Sequence, residues 1–212
     1  MISADAAAVL NVLKTGDLVL FTGQGLARGL FKWFGRTAWT HVGLVLRGPE
    51  DTEPLLWEAG CEGPRRGTLV VRLALRLAEF RGRMSVRCLD RPLAVAQHRR
   101  LEALRQEMAE RARPRGLLDL MGAADDGWLG ARRDNLGDPT DAELVAEVYQ
   151  SLGLLPQVAH GGMLPSQYRP RHFAEGRGLE LENGHALGPE LLLRERDHAV
   201  DLGRVSPQPA GA

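Results

Sequence analysis

A chain of 212 residues, 44% hydrophobic and 25% charged, is long enough to bury one core and fits one soluble globular domain. Lysine plus arginine and aspartate plus glutamate number 27 each, so no net field draws the chain to nucleic acid or to an anionic membrane. Two cysteines, Cys61 and Cys88, are too few for a disulfide scaffold and lack metal-ligand spacing, and no apolar run approaches the ~18 residues of a membrane span.

The opening stretch, MISADAAAVLNVLKTGD, carries acid early and has no basic region leading into a long apolar run. No signal peptide is expected, and the cytoplasm is the expected compartment. Residues 4–14 read as a short helix with Val9, Leu10, Val12 and Leu13 inward, and DLVLF (17–21) reads as a strand. GLARGLFKWFGRTAW (25–39) follows as an amphipathic turn or helix, with Leu26, Leu30, Phe31, Trp33 and Phe34 on one stripe. Gly23, Gly25 and Gly29 do not form a dinucleotide fingerprint, because no G-x-G-x-x-G opens a helix after that strand.

THVGLVLRG (40–48) is predicted to be a strand, PLLWEAG (54–60) its hairpin neighbour, and GTLVVRLAL (67–75) and MSVRCLD (84–90) further strands. From Leu93 to Arg113 the pattern becomes helical, with Leu101, Leu104 and Met108 inward and Pro114 as the stop. RGLLDLMGAADDGWLG (115–130) reads as a short helix or loop, and a helix starts near Thr140. HGGMLPSQYRPRHFAEG is loop-like, LELENGHALG is predicted to be a hairpin around Asn183-Gly184, and SPQPAGA a disordered end. Helix, several strands, then helices is an α+β order around an antiparallel sheet, expected as one domain over 1–204 with a tail at 205–212.

Three residues stand out for chemistry. In the 40–48 strand His41, Gly43 and Val45 share one face, and Gly43 leaves room beside His41 for another group. Such a histidine is either a hydrogen-bonded strand-end residue or a general base, since its pKa lies near neutrality. Glu58 places a charge inside the apolar run LLWEAG. It either faces solvent or, if its strand pairs with that of His41, orients the imidazole. Asp141 lies in the first turn of TDAELVAEVYQ, behind Pro139 and a Thr140/Glu143 capping box. The helix dipole accounts for an acid there. It does not account for the register: Asp141, Val145, Val148 and Leu152 form one row, so the acid begins the buried stripe.

GDLVLF, a basic aromatic loop ending in THVGLVL, LLWEA, ELVAEVYQSLGLLP and LPSQYRPRHF, in that order, resemble the circularly permuted papain-like hydrolases. These are the permuted NlpC-type proteins, which include a YiiX-like group and relatives of lecithin:retinol acyltransferase. The resemblance runs from about Gly16 to Phe173. It implies a papain-like α+β fold in which His41 matches the general base and Glu58 the residue that orients it. The family helix opens Cys-Ser-Glu-Leu-Val; alignment on Glu143-Leu144-Val145 puts Asp141 at the cysteine position and Ala142 beside it.

Thiol attack needs a polarisable nucleophile. A carboxylate is a poor substitute against amides, because the mixed anhydride it would form is less stable than the amide consumed. Cys61 lies three residues beyond Glu58 but matches no family position, and Cys88 reads as core. The expected function is therefore a catalytically impaired homologue that binds a peptide, an acyl or lipid-like group, or a protein partner in the former active-site groove. The alternative is an active hydrolase or acyltransferase that uses His41 with Asp141 or another nucleophile. No cofactor, metal or nucleic acid is expected. Arg28, Lys32 and Arg36 beside Phe31, Trp33 and Phe34 allow only weak peripheral membrane contact.

Overall fold

The computed structural model describes residues 4–22, 39–48, 53–60, 67–80, 82–111 and 141–194. Several expectations fall outside them: the 25–38 part of the aromatic loop, Cys61, the 115–130 segment, the Thr140 cap with Pro139, and the tail. The described elements begin with helix α1 (Ala4–Val12) and strands β1 (Leu18–Thr22), β2 (His41–Leu46), β3 (Leu55–Gly60) and β4 (Gly67–Arg72). Helix α2 (Leu73–Glu79), strand β5 (Arg83–Arg87), helix α3 (Val95–Arg111), helix α4 (Asp141–Ser151) and strand β6 (Leu191–Arg194) complete them. Three short 3-10 turns, Val158–His160, Pro165–Gln167 and Pro170–Phe173, lie between α4 and β6.

The six strands form one sheet in the order β4-β3-β2-β1-β5-β6, with every neighbouring pair antiparallel. Alternation along the strands sends Leu18, Leu20, Val42, Leu44, Trp57 and Ala59 into one core, shared with Leu101, Leu104 and Met108 of α3 and with Leu144, Val145 and Val148 of α4. The other face carries Val19, Phe21, Val45, Leu56 and Val86 into a second core closed by Leu10, Leu13, Leu73 and Leu77. Helices thus cover both faces, which is why the central strands read as nearly unbroken apolar runs rather than as the half-polar alternation of a one-sided sheet.

An α+β architecture around an antiparallel sheet agrees with the sequence expectation, and several details differ. The 67–75 strand ends at Arg72, and the chain turns into α2. Leu73, Leu75 and Leu77 have strand spacing, but the helix buries Leu73 and Leu77, which are i and i+4, and leaves Leu75 52% exposed. Val12, expected inward, is exposed because Leu10 and Leu13 already fill the contact with the sheet.

Asn183 and Gly184 adopt the left-handed conformations that their turn chemistry predicts, with φ of 55° and 70°. Their flanks do not pair with each other as a hairpin. Leu187 instead bridges Leu89, Asp90 and Ala186 exchange hydrogen bonds, and the Glu182 amide donates to the Leu154 carbonyl. β6 was not foreseen. No described helix is long and apolar enough to cross a membrane.

Candidate functional site

His41 begins β2 and lies opposite Phe21 of β1 in the antiparallel register. Their rings meet edge to face at 5.2 Å, so the imidazole is seated against an apolar wall. Gly43, two residues on, makes room for the next strand. A β-carbon there would stand 2.7 Å from Leu56 Cδ1 and 3.3 Å from Glu58 Cγ. Glu58 occupies that room and is buried, with its Oε1 3.0 Å from His41 Nε2. The open face beside His41 is where the sequence placed it, and the group that fills it is the acid suggested to reach the imidazole.

Asp141 arrives from the opposite side of the sheet. α4 packs against β2 and β3, and its first residue points into the seam between them. The β2–β3 pairs run from Leu46↔Leu55 to Leu44↔Trp57. Further along β3, the Ala59 amide donates to Asp141 Oδ1 at 3.0 Å. Asp141 Oδ2 pairs with His41 Nδ1. One carboxylate thereby joins a helix, a strand amide and the imidazole. His41, Glu58 and Asp141, singled out separately in the sequence, form one cluster.

A fourth member had not been singled out. Arg76 of α2 places its Nε 3.3 Å from Glu58 Oε1, the same oxygen that faces His41. Its guanidinium lies 5.8 Å from the ring centroids of both Phe21 and Phe80. The expected strand over 67–75 stops short of Arg76, and it is the helix over Leu73–Glu79 that brings Arg76 to this cluster.

The protonation state follows from the partners. Ionised carboxylates accept hydrogen bonds and do not donate them, and a neutral imidazole carries one N–H. Donation from both ring nitrogens, to Glu58 and to Asp141, requires the imidazolium. Burial alone pushes the His41 pKa down, but the hydrogen bonds and charges of Asp141 and Glu58 outweigh it and raise the value from 6.5 to about 9. Signs then alternate along Arg76, Glu58, His41 and Asp141, and each charge has a neighbour of opposite sign.

Cys88 is not a member of this cluster. Cys88 is a free, half-buried thiol pushed up to about 11, first by burial and then by the nearby Asp17 carboxylate. A thiol in that state is a poor nucleophile at neutral pH. Among the described residues no group of three or more His, Cys, Asp and Glu is arranged to hold a metal ion.

No protein-family model matches the chain. No curated protein sequence matches it either. A structural likeness was found to the metalloprotein yiiX from Escherichia coli O157:H7 (DUF1105), with 17% identity and a TM-score of 0.40. The match covers 66% of this chain and 66% of that one. Such a likeness assigns neither a family nor an activity.

Proposed function

We propose that this chain is a catalytically impaired relative of the permuted papain-like hydrolases, built on one domain over 1–204, and that it works in the cytoplasm as a binding module. Its ligand class is a peptide, an acyl or lipid-like group, or a protein partner seated beside His41 and Asp141. The observation that carries the reading is that carboxylates take both nitrogens of His41. A general base needs one ring nitrogen free to receive the proton of a nucleophile or water. Here Asp141, at the position the resemblance gives to the thiol, accepts a hydrogen bond from the imidazole instead of offering a proton to it.

Three further points support the same reading. A pKa of about 9 leaves His41 protonated at neutral pH and so unavailable as a base. The mixed anhydride that an aspartate would form makes amide hydrolysis through Asp141 unfavourable. Equal numbers of acidic and basic residues give no electrostatic pull toward nucleic acid.

The test is turnover of a panel of p-nitrophenyl esters and peptide amides by the wild type and by His41→Ala. The reading expects no turnover above buffer from either protein. Ester or amide cleavage that His41→Ala abolishes would establish the competing reading, an active hydrolase or acyltransferase. A second arm restores the thiol with Asp141→Cys: gain of hydrolysis would mark the groove as retained, and no gain would mark it as remodelled beyond residue 141.

A further inference from the structure

Asp141 is more than an acid at the position the resemblance gives to a nucleophile. Its two oxygens have separate donors: Oδ1 receives the Ala59 amide at 3.0 Å, and Oδ2 pairs with His41 Nδ1. One neutral and one cationic N–H, aimed at the two oxygens of a single carboxylate, form the recognition element by which proteins bind carboxylate ligands. The Asp141 side chain is only 14% exposed, and the imidazole that serves it is held from behind by Glu58 and flanked by Phe21. The donors are therefore fixed in place by groups other than Asp141 itself.

We propose that Asp141 is the chain's own occupant of a carboxylate-binding cup formed by the Ala59 amide and the His41 imidazole, and that a small external carboxylate takes its place when the side chain is removed. The inference rests on the reading of this region as a binding site. In the wild type the cup is filled, so a ligand carboxylate competes with a covalently tethered one and enters only when the start of α4 draws back. Asp141 thus acts as an internal inhibitor of anion binding at this site.

The shape of the deleted group sets the probe. Asp141→Ala removes a carboxylate and leaves space for formate; Asp141→Gly removes a carboxymethyl group and leaves space for acetate. The measurement is the thermal midpoint against sodium formate or sodium acetate, with sodium chloride at equal ionic strength as the control. Formate should raise the midpoint of Asp141→Ala by roughly 3–6 °C when it exceeds its Kd tenfold. Acetate should do the same for Asp141→Gly, and neither should shift the wild type. The double variant Asp141→Ala with His41→Ala should lose the formate response. A response equal to that of chloride, or one that survives in the double variant, overturns the proposal.

If the shortened variants fail to fold, Asp141→Asn carries the test, because it keeps an oxygen for Ala59 and removes the charge. The groups that face His41 are Asp141 of α4, Glu58 of β3 and Phe21 of β1, with Arg76 of α2 behind Glu58. With Asp141 neutral, the His41 midpoint followed by NMR should fall by at least about one unit, and an unchanged midpoint overturns the proposal. Turnover by the wild type would end the binding-module reading and leave carboxylate rescue standing. Absence of rescue without turnover would end this inference and leave that reading intact.

Discussion

Two cationic side chains, the buried Arg87 and the half-buried His41, solve the problem of a charge inside the fold in different ways. Arg87 of β5 donates to three main-chain carbonyls: Gly188 from Nε at 2.8 Å, Phe173 from Nη1 at 3.0 Å and Leu187 from Nη2 at 2.8 Å. These belong to the stretch of short turns and loops between α4 and β6. Glu190 and Glu175 supply the countercharge, and each accepts the other's amide. The fold needs Arg87, because it satisfies backbone groups that would otherwise be buried unpaired. His41 satisfies side chains almost exclusively. The Ala59 amide, through Asp141, ties its cluster to the backbone. An ionic chain of this kind is weak evidence for a stabilising role, because well-packed apolar side chains often do as well.

That contrast can be broken by measurement. Arg87→Met should cause the largest loss, about 3–5 kcal/mol, because it removes the donor to three main-chain carbonyls, the buried one of Phe173 and the half-buried ones of Leu187 and Gly188. Calorimetry should show a Tm fall of roughly 6–20 °C. A smaller loss than that from changes at His41 would reverse the comparison.

The next effect is in pH. The folded-state pKa of His41 is raised above its unfolded value of 6.5, so the stability it contributes is fully present below 6.5 and disappears as pH rises through about 9. The size is on the order of 3 kcal/mol. Chemical denaturation between pH 6.5 and 9.5 should lose that amount in the wild type and much less in His41→Gln.

Replacing the cluster as His41→Leu, Glu58→Leu and Asp141→Asn, so that no carboxylate is left facing an apolar side chain, should change stability by less than about 2 kcal/mol, since apolar substitutes often equal a buried ion pair. Arg76→Gln should be the mildest, under about 1 kcal/mol, because that guanidinium is partly in solvent. A larger cost for either, measured by urea unfolding, would give the cluster a structural role comparable to that of Arg87.

The legible parts of the molecule were those written in side-chain type and period. Alternation placed His41 and Gly43 on one face, the charge inside LLWEAG pointed to Glu58, and the row from Asp141 to Leu152 pointed the acid inward. Asn183-Gly184 declared its turn, but not which strands its flanks would join, since those partners lie as far away as Leu89 and Leu154. Arg76 was hidden because Leu73, Leu75 and Leu77 have strand spacing, while only Leu73 and Leu77 fit the buried face of the helix that forms. The Ala59 amide had no residue-type signal at all. β6, with four residues, is too short for alternation to register and is set by pairing with β5.

Two carboxylates, one on each ring nitrogen, hold His41 as an imidazolium and not as a base in waiting. The most direct measurement is the titration of its two ring nitrogens by nitrogen-15 NMR. Both should be protonated at neutral pH and titrate together near 9. A neutral ring at that pH, with a midpoint at or below the ordinary 6.5, would leave one nitrogen free and contradict the account.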